Sequence, residues 1–255
     1  MYMESMQQKF ESVTVFLLAS NETTSLRRTV EVIKCTCDKN DVEKIVIVLK
    51  SDSCPSFYEA KKLLIEKKEC EIELEIYFQQ SSDVFRCIAE LPTLVESSHF
   101  LIMASDLEMN PEDVKVFIER AKLHPERIIC GSKWHKNSMI KGYGLIHELG
   151  SRAVNTFIGM LYNKKVRDPF SIFQIYPTSV YRLIKFDRLE KFPYEYTLKP
   201  LRLDFEYEEI PTVYIKRREG KSNFNIINVI KYAIDFCFTA IRIRFTSKED
   251  LYEQQ

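Results

Sequence analysis

The chain has 255 residues, with 37 Lys and Arg against 37 Asp and Glu, so its formal net charge is zero. That balance argues against a general polyanion binder such as a nucleic-acid protein and leaves room only for local basic pockets. The length suits one large α/β domain, no apolar run of about 18 residues predicts a transmembrane helix, and seven cysteines without a CxxC pair fit reduced cytoplasmic thiols.

The N-terminal "MYMESMQQKFES" is polar and lacks the apolar stretch of a secretion signal. "SVTVFLLAS" then reads as a strand, followed by the helix-like "TTSLRRTVEVIKC". "EKIVIVLK" is the second strand, "PSFYEAKKLLIEKKE" a helix, "CEIELEIYF" an alternating third strand, and "DVFRCIAELPTLVES" is helical up to about Pro92. "HFLIMAS" is the fourth strand. This βαβα order predicts a mostly parallel sheet covered by helices. The regularity weakens beyond it: strand "RIICGS", a polar loop to Gly144, a helix near 148 to 164, a short strand "SIFQIY" and mixed structure to about 223. One domain is expected over 1–225, with a C-terminal amphipathic helix and tail over 226–255. In that last segment, "NIINVIKYAIDFCFTAIRIRF" is apolar and aromatic but broken by Lys231, Asp235, Arg242 and Arg244. The charges are too many for a spanning helix. They suit a helix on a membrane surface, or one packed on its own core or in a homodimer interface.

The fourth strand runs straight into two acids, Asp106 and Glu108, in "FLIMASDLEMNPED". Asn110 is expected to cap the next helix and Pro111 to occupy its first position. The acids therefore fall on a loop at the carboxyl end of a strand, where open α/β sheets bind ligands. No GxGxxG or GxxxxGK follows any strand, so a bound nucleotide's phosphates need another partner. Two carboxylates holding a divalent cation would serve, since hard cations take oxygen ligands and magnesium often uses one or two carboxylates plus substrate phosphates. The four histidines fall in no metal-ligand spacing.

Several motifs in order resemble glycosyltransferase family 2, the inverting GT-A enzymes, and within it the dolichol-phosphate mannosyltransferase and polyprenyl-phosphate glycosyltransferase branch. The resemblance spans roughly residues 12 to 245. "VTVFLLASNETTSLRRTVE" is similar to that family's first strand and Asn-Glu turn, and "MASDLEMNPED" to its Asp-x-Asp-x-Gln metal loop. "GSKW", "SRAVNTFIGMLYNKKVRDPFSIFQIY" and "RREGKSNF" resemble its Gly-Ser-Arg strand end, its Ser-Arg helix with Asp-Pro-x-Ser-Gly-Phe-Arg turn, and its Arg-x-x-Gly-x-Ser-Lys loop. The sequence departs from the pattern at Ala104, Glu108, Ile172, Gln174 and Asn223, and "LKSDS" stands for Asp-Asp-Gly-Ser after the second strand.

The resemblance implies a GT-A fold and transfer of a sugar from a nucleotide diphosphate sugar to a polyprenyl-type lipid phosphate, peripherally on the cytoplasmic face of a membrane. Transfer to a glycan hydroxyl and a catalytically degenerate binding or scaffold role are the alternatives. It implies that Glu22, Asp52, Asp106 and Lys133 contact the nucleotide sugar, and that Asp106 and Glu108 hold Mg2+ or Mn2+. Arg152, Asp168, Ser171, Arg217, Arg218 and Ser222 fall to the acceptor, with Asp106, Arg152 and Arg217 central to catalysis. Glu195, in "FPYEYTLK", reads either as a carboxylate for a sugar hydroxyl or as a helical surface acid.

Overall fold

Side chains alternate between the two faces of a strand, so the near-continuous apolar runs of the first, second and fourth strands give each of them two apolar faces, and both need cover. The computed structural model, which describes residues 8–66, 72–142, 145–216 and 226–253, supplies it. Strands β1 (Val13–Ala19), β2 (Val42–Leu49), β3 (Glu73–Phe78) and β4 (His99–Ala104) are linked by helices α1 (Thr24–Thr36), α2 (Pro55–Ile65) and α3 (Val84–Glu90). Then come α4 (Asp113–Leu123), β5 (Ile128–Ser132), β6 (Met139–Lys141), α5 (Leu145–Tyr162), β7 (Gln174–Pro177) and α6 (Thr178–Leu183). The chain continues through α7 (Phe192–Arg202), β8 (Tyr207–Pro211), β9 (Val213–Ile215) and α8 (Ile226–Phe245).

Seven strands form one sheet in the order β3-β2-β1-β4-β7-β5-β8. Only β7 runs antiparallel to its neighbours β4 and β5. A second, two-stranded sheet pairs β6 with β9 in parallel. On one face of the large sheet, Phe16, Val46, Phe100 and Ile102 pack with Ile158 of α5, Tyr196 of α7 and Phe236 of α8. On the other, Val15, Leu17, Ile47, Leu101 and Met103 pack with Leu26 of α1, Ala60 of α2 and Phe117 of α4. Each such side chain contributes roughly 1.5–3 kcal/mol by leaving water. This is an α/β fold with a mostly parallel central sheet between two helical layers.

The path reverses at β1, which pairs with β2 on one side and β4 on the other. A crevice outside the carboxyl ends of β1 and β4 follows from that reversal. Because β7 is antiparallel, the turn that precedes it reaches the same edge.

Two sequence expectations are corrected. Helix α4 starts at Asp113, later than Asn110 and Pro111 suggest. Residues 110–112 close a turn of their own instead, with the Asp113 N–H donating to the Asn110 carbonyl and the Glu112 N–H to the Asn110 side chain. Glu195 is no surface acid: it is fully buried on α7, with Lys199 Nζ at 2.8 Å and Arg242 Nη2 at 2.6 Å. Helix α8 packs on α5 and α7 through Phe236, Ala240 and Ile243. Among the described residues no helix is long and apolar enough to cross a membrane.

Candidate active site

The acidic loop after β4 is anchored before it turns. The Ser105 hydroxyl and N–H both donate to the Leu18 carbonyl at the end of β1, at 2.9 and 3.1 Å. Leu107 then adopts φ of 60°, a left-handed conformation costing a side-chain-bearing residue roughly 1–2 kcal/mol. The reversal lets the Asp106 carboxylate accept the Glu108 N–H at 3.0 Å while remaining almost wholly buried. From the far side, the Ile215 N–H donates to the Glu108 carbonyl and Met109 bridges Tyr214. Strand β9 therefore clamps the loop from above and β1 from below.

Lys133 approaches the same clamp from the end of β5. Gly131 lets that strand pass: a Cβ there would stand 2.9 Å from the Phe173 ring and 3.0 Å from that of Phe117. The Lys133 backbone N–H donates to Asp168 Oδ2 at 2.9 Å, and its ammonium lies 3.9 Å from Oδ1. The same ammonium sits 5.2 Å from the centroid of the Tyr214 ring, a cation–π distance. Tyr214 thus joins the Lys133 charge to the acidic loop.

Asp168 is itself held. Glu209 on β8 accepts the Arg167 and Asp168 N–H groups on one carboxylate oxygen, at 2.8 and 2.7 Å. Ser171 closes the turn, its hydroxyl donating to the Gly131 carbonyl and accepting from the Phe173 N–H. Burial pushes the carboxyl pKa of Asp168 up, against the pull of Lys133. Burial raises Glu209 too, against the two backbone donors it accepts. Gln174, where the resembled family carries arginine, is fully buried and donates to Thr197 Oγ1 and the Ser171 carbonyl.

The expected site residues divide accordingly. Asp106, Glu108, Lys133, Asp168 and Ser171 are brought into one connected frame. Glu22 lies on the turn after β1, its carboxylate accepting the Ser20 and Asn21 N–H groups at 2.6 and 2.9 Å. Asp52 is exposed on the turn after β2. Arg152 is not drawn into the frame: its largely exposed guanidinium pairs with Glu148 one helical turn earlier, at 2.7 Å. Arg217, Arg218 and Ser222 lie outside the described residues. Sequence reasoning missed Glu209 and Tyr214. Parity along β8 holds the signal for the first, because Glu209 shares a face with Tyr207, whose hydroxyl is buried.

The donor set fits a hard divalent cation. Among the described residues no group of three or more His, Cys, Asp or Glu could form an all-protein cage. Asp106 and Glu108 instead offer two carboxylates on one loop, the pattern of a magnesium site completed by substrate phosphates.

No protein-family model matches the sequence. Solved structures of glucosyl-3-phosphoglycerate synthase from Mycobacterium tuberculosis do match in fold. The complex with uridine diphosphate superposes with a TM-score of 0.66 at 10% identity, covering 93% of this chain and 81% of that one. The complex with Mn2+, uridine-diphosphate-glucose and phosphoglyceric acid gives 0.64 at 11% identity, over 93% and 81%. A third, with Mg2+ and uridine diphosphate, gives 0.64 at 10% identity, over 93% and 80%. The shared fold is GT-A.

Proposed function

We propose that the protein is an inverting glycosyltransferase that moves a sugar from a nucleotide diphosphate sugar to a phosphate-bearing acceptor. One observation carries the reading: the buried Asp106 carboxylate and Glu108 stand on a doubly clamped loop at the reversal of strand order, with the Lys133–Asp168 pair beside them. Glucosyl-3-phosphoglycerate synthase, of the same fold, is known in complex with uridine-diphosphate-glucose and Mn2+, and with uridine diphosphate and Mg2+.

On this reading Asp106 and Glu108 hold Mg2+ or Mn2+, which supplies charge to offset that developing on the departing diphosphate. Lys133 adds a point charge near the same phosphates, and Asp168 fixes where that charge stands. Glu22 and Asp52, on the turns after β1 and β2, are assigned to the nucleotide. Arg217, Arg218 and Ser222 are assigned to the acceptor's phosphate, since arginine forks suit phosphate bidentately, and Arg152, exposed and paired with Glu148, joins them only where an acceptor draws it from that pair.

The acceptor we favour is a polyprenyl-type lipid phosphate met at the cytoplasmic face of a membrane. A monophosphate is already anionic near neutral pH, so attack on the anomeric carbon needs positioning more than a strong base. The described frame fits that need, because each of its buried carboxylates is engaged in holding backbone or a cation. A second reading is favoured by the phosphoglyceric acid bound in structures of the same fold: transfer to the hydroxyl of a small phosphorylated acid. That reaction requires a carboxylate base within hydrogen-bond reach.

Calorimetry with uridine diphosphate, with and without chelator, tests the donor half. Asp106→Ala should weaken metal-dependent binding about ten- to a hundredfold, the equivalent of losing one strong charge-assisted contact. Equal affinity in all four conditions would overturn the metal role and favour a degenerate scaffold. Transfer assays against polyprenyl phosphate and phosphoglyceric acid then separate the acceptors.

A further inference from the structure

Helix α8 carries its four charged residues in an arrangement the sequence does not reveal. Asp235 pairs with Lys191, Arg242 with the buried Glu195, and Arg244 donates to the Leu161 carbonyl at the end of α5. Only Lys231 is left exposed. The helix therefore spends its charge on its own domain and turns carbon outward. Ile234, Phe238, Ile241 and Phe245 are 53%, 67%, 38% and 80% exposed. Their spacing of four, three and four residues is the seam repeat by which one helix packs against another.

The stripe does not end with α8. On α5, Phe157 and Met160 are 38% and 74% exposed, and Met160 and Phe245 line a common cleft of about 620 Å³. At about 200 Å² for one fully exposed large side chain, these six residues carry roughly 700 Å² of accessible surface. That exceeds the largest apolar patch of an ordinary monomer and approaches the roughly 800 Å² per partner of a stable complex.

We propose that the α5–α8 face is the interface of a homodimer, two copies meeting through the same patch about a two-fold axis. An isologous contact needs a surface that fits itself. This one offers projecting rings beside a recess, and its seam spacing matches its own kind. A lipid surface fits less well. An interfacial helix draws affinity from basic groups facing anionic headgroups, and here three of the four charges are occupied within the domain while the whole chain is neutral.

The test is the mass of the full chain by light scattering over a micromolar dilution series, beside Phe238→Glu and the milder Phe238→Ser. Wild type should run as two chains. Phe238→Glu should run as one, with its dissociation constant raised at least a hundredfold, while its far-ultraviolet circular dichroism and uridine diphosphate binding stay unchanged and its melting temperature loses the concentration dependence of the dimer. Should the glutamate variant fail to fold, Phe238→Ser carries the same expectation with a smaller rise. Neutral and anionic vesicles form the second arm. A monomeric wild type that co-sediments with vesicles would give the face to lipid and overturn the dimer. A wild type monomeric at every concentration without vesicle binding, or a folded variant that remains dimeric, would overturn it as well.

Discussion

Strands β1 to β4 and the helices α1, α2 and α4 beside them enclose mostly aliphatic and aromatic carbon, whereas the region of β5, β7, β8, α7 and α8 encloses Asp168, Glu195, Lys199 and Glu209. In the first region the ion pairs sit on the rim, as where Arg27 of α1 meets Glu59 and Glu66. In the second they sit inside and tie together elements far apart in sequence. The lesson concerns what each region is for. Carbon packing is enough to hold a crevice edge, but placing a single ammonium beside an acidic loop takes fixed charges that water cannot screen.

The largest effect is expected where that contrast is sharpest. Lys199 is only 1% exposed, and its ammonium contacts Glu195, Asp187 and the Lys185 carbonyl. Lys199→Met leaves Glu195 buried with Arg242 as its remaining cation, and breaking a buried pair from one side typically costs about 3–5 kcal/mol. Urea unfolding measures this directly. Adding Glu195→Leu should return part of the loss, because the stranded charge goes with it. A cost below about 1 kcal/mol, the range of an exposed pair, would erase the difference between the two regions.

His99 and the buried carboxylates of the second region should respond to acid with opposite sign. At the start of β4, His99 is wholly buried with Nε2 at 2.9 Å from the Pro125 carbonyl, and burial lowers its pKa to about 4 from 6.5. Between those values the unfolded chain binds a proton that the fold refuses. The His99 contribution is therefore present above about pH 6.5 and lost as pH falls toward 4, in all about 3 kcal/mol. Burial raises Asp168, Glu195 and Glu209, so they do the reverse: their contribution is present in acid and lost as pH rises above the ordinary carboxylate range. Denaturant titrations from pH 7 to 4 should show stability falling for wild type. In His99→Gln, which keeps a donor for Pro125, the fall should be markedly smaller, with the carboxylates of Glu66, Asp187 and Asp204, whose pKa values are lowered, supplying what remains. An unchanged slope in the variant would place the acid sensitivity elsewhere.

The same contrast explains what could be read in advance. "SVTVFLLAS", "EKIVIVLK" and "HFLIMAS" announce β1, β2 and β4 because apolar runs of strand length leave few alternatives. Asp106 and Glu108 stand out because acids directly after such a run have an obvious edge to occupy. The helix over 226–245 is legible from its apolar richness, but not which way its charges point. Glu195 looks like a helical surface acid because Lys199, four residues on, reads as an ordinary exposed helix pair, and nothing local marks its second partner Arg242, 47 positions away. Arg152 attracts attention through motif position, yet it lies in solvent beside Glu148, while Glu209, in no motif, holds the turn that carries Asp168.

The smallest effect is expected at Arg27, the densest ion network of the carbon-packed region. Its guanidinium reaches Glu59, Glu66 at 2.7 Å and Glu31 at 3.8 Å, and it ties α1 to α2. On a drawing this rivals the Lys199 cluster. Solvent decides otherwise, because Arg27 is 30% exposed and Glu31 and Glu66 are each about half exposed. Each attraction is weakened by water, and ordering four long side chains opposes it. Glu59, at 13% exposed, also keeps Lys62 at 3.8 Å as a substitute when the guanidinium is removed. Arg27→Met should therefore cost no more than about 1 kcal/mol, and the methionine stem should retain the packing of the arginine's own. Repeating the urea unfolding in molar salt supplies the sharper readout. There the Debye length shrinks to about 3 Å, so the wild-type advantage over Arg27→Met should disappear while that over Lys199→Met persists. If salt erases both differences equally, the Lys199 cluster is as well hydrated as the Arg27 network, and burial does not distinguish the two regions.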